Sequence, residues 1–172
     1  MARVFAASRV QVSVLGVDLS TKAVTAFHLS WEAEPLNIWH CEMKGKKALE
    51  RLRSAYDAIG AIHWEKPSII CFERPAGKGA AAVMDIWRVQ GFIIGCGWIL
   101  EETIIWEMGP SEWKKLAGLP GNAGKEEIKQ FALKQMRTDH LGDENGREHP
   151  QDVYDAYCIA LAAIAFNKKG LE

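Results

Sequence analysis

The chain predicts an α/β fold, a mixed five-stranded sheet flanked by helices, on three observations. Three β-rich segments separated by short polar turns come first, helices and strands alternate after them, and acidic residues stand where apolar segments begin or end. At 172 residues and 48% hydrophobic, the chain can bury roughly 70% of its unfolded surface. One domain spanning 1–172 is expected, with residues 1–9 as a flexible lead.

The elements follow in order. Val10 to Val17, Val24 to Leu29 and Asn37 to Glu42 read as a three-strand antiparallel meander. A helix from about Lys46 to Trp64 follows, with Leu49, Leu52, Tyr56, Ile59 and Ile62 at helical spacing and Pro67 closing it. Ser68 to Phe72 and Thr103 to Met108 are buried strands, separated by the Gly-rich loop Pro75 to Gly79 and a helix from about Ala80 to Trp98. Short and long helices, Ser111 to Leu116 and Lys125 to Met136, flank the loop Gly118 to Gly124. After the polar segment Thr138 to Glu148, Pro150 opens a final helix running to about Asn167. Most of the seven Trp belong to the core on this reading.

Composition narrows the class. Cys41, Cys71, Cys96 and Cys158 contain no Cys-x-x-Cys pair and lie mostly in apolar runs, which argues against a disulfide framework or a zinc site and for a reduced, cytoplasmic compartment. The longest apolar stretch, Gly91 to Leu100, is well short of the roughly 18 residues a spanning helix needs, so no membrane is expected. A net charge of −1 supplies no global basic signature.

The acids carry the functional signal. Asp18 closes Val14-Leu15-Gly16-Val17-Asp18, Glu73 closes Ile69-Ile70-Cys71-Phe72-Glu73, and Asp152 with Asp155 opens the last helix. A carboxylate at the carboxyl end of a buried strand points into the crevice where α/β sheets place ligands. Two carboxylates about 4 Å apart repel by roughly 4 kcal/mol at an effective dielectric near 20, so a shared crevice requires a cation. Hard oxygen ligands favour Mg²⁺ or Mn²⁺. The three-residue spacing of Asp152 and Asp155 places both on one helix face.

Four segments together resemble the RuvC family of Holliday junction resolvases, within the RNase H-like fold. Gly16-Val17-Asp18-Leu19-Ser20-Thr21-Lys22 is similar to the family's opening Gly-hydrophobic-Asp signature, and Phe72-Glu73 to its second acid. Pro110-Ser111-Glu112-Trp113-Lys114-Lys115 with Gly118 to Lys125 resembles its stretch with two lysines eleven residues apart, Lys114 and Lys125. His149-Pro150-Gln151-Asp152-Val153-Tyr154-Asp155-Ala156 resembles the closing Pro-Gln-x-Asp-x-x-Asp-Ala motif.

The resemblance implies a sheet of an antiparallel meander plus two parallel strands, and a homodimer that nicks two strands of a four-way DNA junction. Asp18, Glu73, Asp152 and Asp155 would hold two ions per site, and Lys114 and Lys125 would contact the DNA backbone. The helix Ala80 to Trp98 would form the dimer seam, with Gly91 and Gly95 admitting a partner helix or, alternatively, packing within the chain. The chain departs from the family after Glu73, where Arg74-Pro75-Ala76-Gly77-Lys78-Gly79 lacks the usual aromatic; either junction distortion falls to Arg74 and Lys78, or the protein accepts other branched DNA. Leu19-Ser20 also replaces the family's Pro-Gly after the first aspartate.

Phosphodiester hydrolysis needs an activated water, a neutralised phosphorane and a stabilised leaving oxygen, which two divalent ions about 3.5 to 4 Å apart provide. Asp18 is the natural bridging ligand, His149 a candidate to orient water or carry a proton, and Lys22 a phosphate-holding residue beside Lys114 and Lys125. Each residue also has an ordinary reading. Asp18 suits a turn, Asp152 an N-cap, Asp155 the helix dipole, and His149 a solvated loop. Lys44, Lys46 and Lys47 with Arg51 and Arg53 read as a solvated helix face. Three rival functions stand beside resolution: a nuclease of RNA/DNA hybrids or other branched DNA, a non-catalytic nucleic-acid binder, and a sugar-kinase-like phosphate loop, which would require a second domain.

Overall fold

A computed structural model describes residues 12–45, 47–60, 67–75, 79–95, 103–136 and 148–170. Three strands open the chain: β1 (Ser13–Leu19), β2 (Ala23–Ser30) and β3 (Pro35–Glu42). They form the expected antiparallel meander, with Gly16 opposite Phe27 and Asp18 opposite Thr25 in β1/β2, and Thr25 opposite His40 in β2/β3. Helix α1 (Ala48–Gly60) leads to β4 (Ile69–Glu73), α2 (Ala80–Ile93) to β5 (Ile104–Met108), and α3 (Pro110–Ala117), α4 (Lys125–Gln135) and α5 (Gln151–Lys169) complete the order. Strand order is β3-β2-β1-β4-β5, with β1, β4 and β5 parallel.

Alternation along each strand sorts its side chains between two helical layers. Val14 of β1, Phe27 and Leu29 of β2, and Ile69 and Cys71 of β4 pack beneath α5, with Trp113 of α3 and Ile128 and Ala132 of α4 in the same cluster. Leu15, Val17 and Leu19, with Ile70 and Phe72, face the other side, against Ala55 of α1 and Ile86, Val89 and Ile93 of α2. Asp85 ties the latter two helices together, accepting from Arg51 at 2.6 Å and Arg88 at 3.0 Å.

Helix ends follow from local chemistry. Pro110 sits at the first turn of α3, where its missing N–H costs nothing, and the Gly109 N–H donates to Glu112 Oε2 at 3.2 Å. Gly118 ends that helix at φ 98°, a left-handed geometry that suits glycine. The Gly124 N–H donates likewise to Glu127 Oε2 at 2.7 Å at the start of α4.

Several expectations change. Leu49 and Tyr56 do not form a buried stripe on α1: they are 79% and 56% exposed, and among the described side chains of the helix Ala55 is buried, with Leu52 partly buried against the same cluster. The helix lies on α2 and the sheet by its Ala55 flank, and the Tyr56 ring instead rests against Phe92, centroids 5.2 Å apart. Among the five described tryptophans only Trp113 is fully buried; Trp31, Trp39 and Trp106 are half-buried and Trp87 is exposed. Strand β3 begins at Pro35, two residues earlier than its β-rich run. The expected starts and ends at Val10, Lys46, Trp64 and Trp98, with Cys96, Lys78 and most of the segment before Glu148, lie outside the described residues. Cys71 and Cys158 are buried thiols that burial pushes up to about 12, consistent with packing rather than reactivity. No described helix is long and apolar enough to cross a membrane.

Candidate metal centre

The two strand acids continue the pattern that lines the α5 side of the sheet. Asp18 follows Val14 and Gly16 at a spacing of two, and Glu73 follows Ile69 and Cys71 in the same way. Because Gly16 is opposite Cys71 and Val17 opposite Phe72 in parallel register, the two acids are the next residues on neighbouring strands. Both emerge at the carboxyl ends of their strands, on the face α5 covers.

Gly16 sets how closely α5 approaches. A Cβ built there would lie 2.2 Å from the Ala156 carbonyl oxygen and 2.5 Å from the Ala160 backbone nitrogen. Backbone therefore rests directly on backbone at this crossing. In the turn of α5 that leads up to this crossing, Asp152 and Asp155 come down beside Asp18, which is two residues past the crossing on β1. Carboxylate oxygens of Asp18, Asp152 and Asp155 all lie within 4.8 Å of one another, each side chain partly buried. Oxygens on opposite sides of one Mg²⁺ stand roughly 4.2 Å apart, so this donor set fits a hard divalent cation.

Glu73 lies outside that mutually close group but is held and oriented. Its Oε2 accepts a 2.7 Å hydrogen bond from the buried Trp113 indole N–H, and its charge acts on Asp155. Gln151 braces Asp155 from the other side: its Nε2 donates to Asp155 Oδ1 at 3.2 Å and to the Lys125 carbonyl at 3.3 Å, joining the starts of α4 and α5. Trp113 and Gln151 both stand inside the motifs read from the sequence, yet neither drew a role there. Their partners are distant in the chain, and hydrogen-bond geometry leaves no local signature.

The remaining candidates fall in different places. Asp152 is not an N-cap; Pro150 occupies that position and Asp152 sits within the first turn. His149 stays out of the acid cluster: its ring packs edge-on to Tyr154 at 6.5 Å, with Nε2 buried and without a partner among the described residues. Lys114 is half-buried and turned inward, its Nζ donating to the Ala123 carbonyl at 2.9 Å and lying 5.5 Å from the Trp113 ring centroid. It clamps the loop before α4 and braces the tryptophan that holds Glu73. Lys125 is exposed at the start of α4, its charge felt by Asp155. Arg74 is exposed just past β4, and Lys22 is exposed in the β1–β2 turn beside Asp152.

Asp155 records the electrostatics of the cluster. Desolvation raises its pKa from 3.8 to about 6, the Gln151 hydrogen bond and Lys125 oppose the rise, and Glu73 and Asp152 add to it. A carboxyl group pushed up this way costs the metal-free fold stability as it ionises. That component is fully present below about 3.8 and is lost as pH rises through about 6. A divalent cation must displace the proton, so its affinity should fall roughly tenfold per pH unit below about 6. Calorimetric titration with Mn²⁺ between pH 5 and 7.5 measures this, and Asp155→Asn should flatten the dependence. An equally steep profile in that variant would assign the proton elsewhere.

No protein-family model matches the chain, and no curated protein does. Solved structures do match. RuvC of Thermus thermophilus superposes at a TM-score of 0.69 with 16% identity, over 92% of this chain and 97% of its own. The same protein in complex with a Holliday junction substrate gives 0.67 at 16% identity, covering 92% and 96%. The Fowlpox virus resolvase in complex with substrate Holliday junction DNA gives 0.53 at 14% identity, over 94% and 100%.

The fold is that of the RuvC resolvases. This agrees with the α/β RNase H-like architecture read from the acids and strand order, and the match runs nearly end to end in both partners. On a RuvC fold, the end of the central strand and the start of the last helix are where this chain gathers its three carboxylates.

Proposed function

We propose that the protein is a divalent-metal-dependent endonuclease that resolves four-way DNA junctions by paired nicking as a homodimer. The observation that carries this reading is the convergence of Asp18, Asp152 and Asp155 on a RuvC fold, with Glu73 on the adjoining strand. Asp18, Asp152, Asp155 and Glu73 would hold Mg²⁺ or Mn²⁺. Ions bound there, two per site, would supply charge neutralisation and an acidified water.

The chain's own residues do the remaining work. In hydrolysis a water oxygen adds to phosphorus, the bond to the 3′ oxygen breaks, and the proton ends on that oxygen. Trp113 keeps the Glu73 carboxylate aimed at the cluster, and Gln151 keeps Asp155 from rotating away. Lys22, Lys125 and Arg74 are exposed around the acids, where they would hold backbone phosphates without reading bases. Lys78 would join Arg74 in distorting the junction, in place of the missing aromatic.

Paired nicking needs two sites at fixed separation. The outer side of α2 supports a dimer seam: Met84 and Trp87 are 47% and 50% exposed. Gly91 and Gly95 continue that stripe, and a Cβ at either meets nothing within 4 Å. Among the described residues nothing packs on these glycines, so a partner helix could approach closely along them.

Labelled four-way junction, linear duplex and RNA/DNA hybrid, each incubated with Mg²⁺, separate the readings. Symmetric nicks confined to the junction are the expected result. Cutting of the hybrid would make the protein a nuclease of hybrids, and no cutting of any substrate would leave a nucleic-acid binder.

A further inference from the structure

A polar row crosses the sheet at the level of the acid cluster and ends in a cleft. Asp18 is opposite Thr25, and Thr25 is opposite His40, on the α5 face of β1, β2 and β3. Thr25 is fully buried, and its Oγ1 lies 2.8 Å from His40 Nδ1. The imidazole is thereby pinned two strands from Asp18, a distance of roughly 10 Å. Its Nδ1 is engaged, so the Nε2 edge is what the ring offers outward. His40 lines a cleft of about 440 Å³ together with Lys22, Glu42, Lys44, Pro150 and Asp152.

We propose that this cleft is a phosphate subsite for the DNA strand passing over the metal centre, with His40 Nε2 as donor and Lys22 and Lys44 as cations. The proposal rests on the nuclease reading and extends it to residues with no role there. The volume is within the range of about 300–1,000 Å³ typical of ligand sites, enough for a sugar-phosphate unit. When Thr25 donates its hydroxyl to Nδ1, the neutral ring carries its proton on Nε2 and can donate to a phosphate oxygen. Lys22 and Lys44 supply charge from the β1–β2 turn and the segment after β3, and both are exposed. Glu42, also exposed, stands as the opposing charge at the rim, while Asp152 belongs to the cluster itself.

Position gives the subsite a register. Lys125 flanks the cluster on its Asp155 side and the cleft flanks it on its Asp152 side, so a strand over the acids would meet cations on both. A separation of roughly 10 Å corresponds to about three steps of helical rise at 3.4 Å each. The phosphate bound here therefore lies one to three nucleotides from the bond that is cut, and the contact adds affinity without sequence preference.

The test is four-way-junction affinity in Ca²⁺ at several salt concentrations, with nicking followed separately in Mg²⁺ and folding checked by thermal melts. His40→Ala and Lys44→Ala should each weaken binding roughly fivefold, Lys44→Ala alone should lower the salt slope by about 0.7 to 0.9 because only it removes a cation, and Glu42→Gln should tighten binding. A junction carrying one neutral methylphosphonate within three nucleotides of the nick should bind the native protein less well, yet bind the His40→Ala/Lys44→Ala double variant no worse than unmodified DNA. Unchanged affinity in both single variants and an unchanged salt slope in Lys44→Ala, while the native protein still nicks junctions, overturns the subsite and spares the nuclease reading. Absence of junction binding or nicking by the native protein overturns both.

Discussion

Asp18→Asn is expected to lower junction nicking by roughly 10²- to 10³-fold, the scale on which one preorganised charged group acts in a catalytic site, with junction binding retained. Its effect on stability should have opposite signs with and without metal. The Asp18 carboxylate has oxygens within 4.8 Å of both Asp152 and Asp155. Removing its charge relieves repulsion in the metal-free protein, and each kcal/mol relieved raises the melting temperature by roughly 2–4 °C in a chain of this length. The native protein, by contrast, should gain about 2.7 kcal/mol when the free ion is at 100 times its dissociation constant. The variant should lose most of that gain. Melting curves with EDTA and with Mg²⁺ measure both arms, and a native-sized Mg²⁺ shift in Asp18→Asn would mean that the ion binds elsewhere.

Gly16→Ala should be the most damaging single-methyl change in the described part of the protein. The new Cβ would sit 2.2 Å from the Ala156 oxygen and 2.5 Å from the Ala160 nitrogen, both backbone atoms that cannot rotate aside. Overpacking typically costs about 1–3 kcal/mol and more when nothing can yield, so a loss of about 3 kcal/mol or more is expected in urea unfolding. The displacement is directional. It lifts α5 off β1, carrying Asp152 and Asp155 away from Asp18, so the Mg²⁺-dependent melting shift should disappear together with the stability. If the variant is destabilised but keeps the full metal shift, α5 does not position the acids through this crossing.

Much of this arrangement was legible in the order of residues. Short continuous apolar runs such as Ile69-Ile70-Cys71-Phe72, bounded by polar residues, announce buried strands, and a glutamate ending such a run is hard to explain by packing alone. The Asp152/Asp155 pair shares a helix face at any tertiary placement, since spacing alone decides it. Helix α1 was read less well. Leu49, Leu52 and Tyr56 share one helical spacing, but spacing does not say which side the neighbouring layer occupies, and that layer meets Ala55 and Leu52 while Leu49 and Tyr56 stay exposed. The DNA contact expected of Lys114 rests on the resemblance of its segment to the family's lysine-bearing stretch, which says nothing of where its side chain turns. Its turn inward to the Ala123 carbonyl depends on a loop that returns only after tertiary folding. His40 and Thr25 drew no attention at all, because a cross-strand pair reads as two ordinary strand residues until the register joins them.

By itself, then, the sequence determined the element types, their order and the identity of the acids, because these follow from local periodicity and side-chain chemistry. Which acids meet, and how closely, was decided only by the tertiary structure. Asp18 and Asp152 are remote along the chain, and their distance depends on α5 lying on β1 without an intervening side chain at Gly16. Glycine at that position is visible in the sequence, but the backbone it admits is not, since close packing is a property of two surfaces and the chain spells out only one at a time.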